Sequence, residues 1–345
     1  MNRTQNRIVW IDYAKCIGIF LVVLGHLSIP EWLKNMIYAF HMPLFFFISG
    51  YLFQENKFNS FRVFFVRRAK QLLVPYLFFN IITYFFWVFV GRKFGNDSTV
   101  DINPFTPLIG MLYGVNTGYF LIHCGSLWFL PCLFIVEILY YIAIKSVSSK
   151  AIIFVLFTGL GYANLLLKHV MLPWNIDIAL VAILFYIIGS AFKERKFLES
   201  INTQNILIVI FFCSLLLTAI IVLINGRVDM SSNTYGNFIF FILAALSGIC
   251  FVFSVSKLFS MFFHSIPTVE TISSNTLIII GLHELVISII RGGLYFIFKI
   301  PINVFKDTVM VNVIMAIVTI LFLIPIFYII EKYFPFIVGK SDMKI

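Results

Sequence analysis

An acid, an amine and an imidazole fall within one early apolar run, residues 7–26, which reads R-I-V-W-I-D-Y-A-K-C-I-G-I-F-L-V-V-L-G-H. They are Asp12, Lys15 and His26. A charged group at the centre of a membrane span costs about 3 kcal/mol on insertion scales. Such groups face a bundle interior or a wet cavity and mark function by default. Eleven residues separate Lys15 from His26, which on a helix is about 20° past three full turns and about 16 Å of rise. The two therefore share a face at different depths. Asp12 lies about 21 Å from His26 by the same arithmetic, too far to orient it. Snorkelling of Lys15 beside Asp12 explains those two on their own. An imidazole, with its ordinary pKa of about 6.5, suits proton transfer near neutrality.

Further along the chain other groups join this set. His41 opens H-M-P-L-F-F-F-I-S-G and should lie near the depth of His26, with Pro43 harmless in a first turn. Ser49 and Gly50 permit close helix packing. Ser126 and Trp128 stand in G-S-L-W-F-L, followed by Glu137, a carboxylate in an apolar helix that needs a partner. His283 and Glu284 are adjacent in another apolar run and should point about 100° apart, so that only one faces a given site. Position 287 is Ile, so this is no H-E-x-x-H zinc motif, and no metal is expected. Arg67, Arg68 and Lys70 form a basic cluster suited to phosphate.

The elements that must position these groups are membrane helices. The chain has 345 residues, 61% hydrophobic and 12% charged, against about a quarter charged in a soluble domain. Apolar runs near twenty residues predict spans at about 8–28, 36–53, 72–91, 126–144, 151–168, 175–192, 205–224, 236–256, 274–291 and 308–330. This is an all-α polytopic membrane protein, a bundle of about ten transmembrane helices, with residues 1–345 as one domain. Sixteen Lys and Arg fall in connections on the N-terminal side and eight on the other, which predicts both termini in the cytoplasm. The net charge of +10 is topological and does not imply nucleic acid. Five scattered cysteines read as free thiols, and the charged first run is no cleavable signal. Residues 54–71 should form an amphipathic interfacial helix, with Phe58, Phe61, Phe64 and Phe65 at helical spacing, leading into the third span. Residues 92–125, the longest connection, are expected to serve as a lid or an acceptor-binding element.

These motifs together resemble the membrane-bound acyltransferase-3 family, in particular its fucose 4-O-acetylase-like sugar O-acetyltransferase branch. The resemblance covers most of the chain and rests on Lys15 and His26 at their spacing, H-M-P-L-F-F-F-I-S-G-Y-L-F from His41, and S-L-W-F-L-P-C-L-F from Ser126. A basic pair at the inner end of span three is met by Arg67 and Lys70, where Lys keeps the charge without the guanidinium fork. The resemblance implies ten inner spans, acetyl-CoA as acyl donor from the cytoplasm, and a polysaccharide or lipid-linked sugar acceptor on the outer side of the inner membrane. It implies a catalytic set of His26, Glu137 and His41, and a coenzyme-binding set of Lys15, Arg67, Arg68 and Lys70. Asp12, Ser126, Trp128, His283 and Glu284 then support the site. Spacing does not choose which of Glu137, His41 and His283 serves His26, nor between direct transfer and an acyl-enzyme. A transporter or flippase is the rival class. Against it stand the lack of an internal repeat and of paired broken spans.

Overall fold

The computed structural model describes residues 7–166 and 171–339, so Arg3, Lys168, Lys340 and Lys344 of the charge pattern lie outside the described residues. Fourteen helices follow in order: α1 (Val9–Gly25), α2 (Glu31–Tyr38), α3 (His41–Leu52), α4 (Phe61–Phe89), α5 (Phe105–Tyr113), α6 (Phe129–Ser146), α7 (Lys150–Leu166), α8 (Ile176–Glu194), α9 (Phe197–Ser200), α10 (Gln204–Asn225), α11 (Phe238–Phe263), α12 (Pro267–Ser274), α13 (Thr276–Phe296) and α14 (Val309–Tyr333). Among the described residues there is no strand, only an isolated bridge between Asp229 and Thr234. The fold is the expected all-α polytopic one.

Each of the ten expected segments overlaps a helix. Seven are long and apolar enough to cross a membrane: α4, α6, α8, α10, α11, α13 and α14, counting 3₁₀ turns continuous with α4, α6 and α8. α1 has 17 residues, at the lower limit of a span, α7 is described over 17 residues as far as Leu166, and α3 has only 12, short of the about 20 typical of a span. The segment at 36–53 falls short because the backbone breaks at Phe40 (φ −140°, ψ −15°), leaving α2 as a separate short helix. The amphipathic stretch and the third span are one element. Ser60 accepts the Val63 N–H at 3.3 Å as an N-cap, and α4 then runs through Pro75 to Phe89. Its Phe stripe divides: Phe64 is fully buried and stacks on Tyr141 at 4.3 Å, whereas Phe61 and Phe65 face outward.

Apolar side chains from nearly every long helix join one core. α3 packs on α8, α10 on α11, and α1 against α11 and α13. The α3–α8 crossing is set by two glycines. A Cβ on Gly50 would lie 2.0 Å from the Tyr186 carbonyl oxygen, and one on Gly189 would lie 2.1 Å from the Phe47 carbonyl oxygen. Small residues let the two backbones touch, which fixes where α3 carries His41. All five cysteines are free thiols.

Candidate active site

α1 is pinned at its start. Asp12 takes an ion pair from Arg7 Nε at 2.5 Å and a hydrogen bond from Ser273 Oγ at 2.6 Å, tying α1 to α12. Arg7 also meets Glu270 at 3.2 Å. The other end of α1 carries the chemistry. His26 caps the helix in αR geometry, its N–H bonding back to Val22 and Val23, so its ring projects from the terminus and is 28% exposed.

Two consecutive residues of α13 meet that ring. His26 Nδ1 stands 3.6 Å from Glu284 Oε1, within ion-pair reach, and the His26 and His283 rings meet edge-on with centroids 4.9 Å apart. Adjacent residues pointing about 100° apart were expected to serve different sites. Here both flank one ring, because His26 leaves the end of its helix and sits between them. Glu284 is held in place by the Ser126 backbone N–H at 3.0 Å, and Ser126 Oγ donates to the Ile280 carbonyl at 2.9 Å. The His283 Nδ1–H donates to the Ile279 carbonyl at 2.8 Å, and its buried Nε2 has no partner among the described residues. Among the described residues His26, His283 and Glu284 bring ligand atoms within 4.8 Å of one another, a set able to hold a cation that spacing alone did not suggest.

A cavity of about 100 Å³ opens beside His26. His41 and Trp128 also line it, so the expected shared level of the two histidines is met. The His41 Nδ1–H donates to the Ile37 carbonyl at 2.8 Å, leaving Nε2 as an acceptor. Sequence reading passed over His123, which bonds Asn80 Oδ1 through Nε2 at 2.9 Å in the interior.

A family profile described as an acyltransferase domain matches residues 8–331. The chain belongs to the acyltransferase-3 family. Part of it is similar to two relatives named nodulation protein NolL. The one from Mesorhizobium japonicum is 44% identical over 87 residues, 22% of this chain and 23% of the relative. The one from Sinorhizobium fredii is 44% identical over 89 residues, 21% of this chain and 24% of the relative. These matches span about a quarter of the relatives' length. No solved structure matches.

In this chain the basic cluster is engaged elsewhere than at His26. Arg68 Nε pairs with Glu137 Oε2 at 2.9 Å, and Arg68 Nη1 donates to Gln71 at 2.9 Å. Glu137 lies about 16 Å further along its helix than Ser126, the residue that holds Glu284, so it does not reach His26. Arg68 is engaged by a buried carboxylate. Other cations near this end are paired as well: Lys145 with Glu55 and Lys150 with Glu194 at 2.6 Å each, and Lys193 with Glu199 at 2.7 Å. Among the described residues Arg67 and Lys70 make no ion pair, and Arg67 lies over the Phe58 ring at 5.7 Å. Lys15 is half-buried along α1.

Proposed function

We propose that this chain is an O-acetyltransferase that moves an acetyl group from acetyl-CoA to a hydroxyl of an exported or cell-surface polysaccharide sugar, or of its lipid-linked precursor. The observation that carries the reading is the pairing of His26 with Glu284 at the mouth of a cavity, in a chain of this family. Glu284 favours a proton on Nδ1 and stabilises the imidazolium that forms, leaving Nε2 for the substrate. Nε2 takes the proton of the sugar hydroxyl as its oxygen attacks the thioester carbonyl. The tetrahedral intermediate collapses, the C–S bond breaks, and the CoA sulfur leaves with the proton returned by His26. Atoms balance with no further reactant.

The unpaired Arg67 and Lys70 are suited to the CoA phosphates at the cytoplasmic face. The pantetheine arm would then run past Lys15, and the acceptor would meet His26 from the outer side of the inner membrane. The motifs at Lys15–His26 and from His41 favour the fucose 4-O-acetylase-like branch. A flippase would need no thioester. Inverted vesicles given radiolabelled acetyl-CoA and glycan should build label into glycan with the wild-type chain. His26→Gln should reduce this roughly 10²–10⁴-fold. Near wild-type transfer by the Gln variant would reduce His26 to a packing residue.

A further inference from the structure

The connection between α10 and α11 takes no part in the chemistry above, yet it lines the cavity beside His26 through Asp229, Met230 and Ser231. It is a built loop. The Asp229–Thr234 bridge closes through two backbone bonds of 2.8 and 2.9 Å, and Asn225 clamps its base by bonding Tyr235 and Asn237. Asp229 Oδ1 accepts the Ser231 N–H at 3.0 Å and the Ser231 hydroxyl at 2.7 Å, which locks the carboxylate. Among the described residues its Oδ2 has only Arg227, at 4.0 Å. The amide of Asn116, from the other long connection, also lines the cavity, packs over Gly125 and has no hydrogen-bond partner among the described residues. Tyr38 and Trp128 supply aromatic wall.

We infer that Asp229 and Asn116 form an acceptor subsite that grips two adjacent hydroxyls of one sugar ring and so presents a third to His26. The inference rests on the O-acetyltransferase reading and names the acceptor chemistry within it. A preset carboxylate accepts from two hydroxyls, an amide both donates and accepts, and an aromatic face covers the C–H side of a pyranose. The volume has room for a few water-sized groups, which fits one sugar edge rather than an extended chain. Arg227 beside the carboxylate and Lys34 near both offset its charge, so the site favours hydroxyls over a cation.

The test uses the full chain in detergent or vesicles, radiolabelled acetyl-CoA, and p-nitrophenyl glycosides of the common hexoses. Each glycoside is compared with a form O-methylated at one diol hydroxyl. Asp229→Asn should raise the acceptor KM about tenfold while the KM for acetyl-CoA stays put. On the methylated acceptor the substitution should add little, because the same contact is already lost. Asn116→Ala provides a second reading should Asp229→Asn fold poorly. Alkyl glycosides with a long aglycone compete with the polar ones if the natural acceptor is lipid-linked, and show no advantage if it is a polymer. Unmoved acceptor KM in both variants, with wild-type transfer intact, overturns the subsite alone. A wild-type chain that transfers acetyl to no glycoside or polysaccharide overturns the reading beneath it as well.

Discussion

His26 at the C-cap of α1 and Glu284 on α13 approach to 3.6 Å between Nδ1 and Oε1, and the backbone N–H of Ser126, in the 3₁₀ turn that leads into α6, holds the carboxylate there. Three elements distant in sequence therefore converge on one imidazole. At 3.6 Å the contact is longer than a hydrogen bond and within ion-pair reach.

Replacing Glu284 by Gln keeps an oxygen for the Ser126 N–H and removes the charge. Acyl transfer should fall on the order of 10²-fold, through kcat more than through either KM, because the charge acts when the imidazolium forms. Steady-state kinetics on the purified variant reads this directly. A change confined to KM would place Glu284 in binding alone.

The Arg68–Glu137 pair predicts a stability effect distinct from coenzyme binding. Arg68→Ala strands a buried carboxylate and should cost about 3–5 kcal/mol, seen as a lower Tm in detergent. The double change Arg68→Met with Glu137→Leu should recover most of that loss, since an apolar pair of similar volume replaces both charges. Failure of the double variant to recover would show that the pair does more than hold α4 to α6.

Arg67→Ala and Lys70→Ala should behave differently from Arg68→Ala. Neither residue is engaged by a carboxylate among the described residues, so the fold should hold while KM for acetyl-CoA rises several-fold. Equal KM for wild type and the paired variant would return these residues to a purely topological role.

At the α3–α8 crossing, Gly50→Ala places a methyl where the Tyr186 carbonyl already sits, so the helices must separate. A loss of about 1–3 kcal/mol is expected, with reduced activity as His41 shifts. Gly159→Ala on α7, where nothing lies within 4 Å of the added methyl, is the matched control and should not lower Tm.

Because His26 needs its lone pair for proton transfer, a transition metal seated on His26, His283 and Glu284 would block the reaction. Added Zn²⁺ should inhibit reversibly, and a chelator should restore the rate. Inhibition should weaken in His283→Gln, which removes one of the three ligands. Activity that requires added Zn²⁺ would reverse the assignment of His26 as base.

The sequence by itself determined what local periodicity and cost can determine. Runs such as 205–224 and 308–330 leave no fold but membrane helices, since their backbone polar groups must bond within the segment. His26 was legible because an imidazole at the end of an apolar run, in register with Lys15, is costly to keep without use. His41 at the same level followed from the short connection between the two segments. The partners of these residues were decided only by the tertiary structure. Glu137 and Glu284 both read as membrane carboxylates, and nothing in their neighbours says that one meets Arg68 and the other His26. That choice depends on where α6 and α13 pass α1 and α4, and close approaches such as Gly281 of α13 against Phe79 of α4 help to set it. Asp229 and Asn116 were invisible for the same reason. They lie in irregular connections without period, and only the packing of the helices beneath brings both over one cavity.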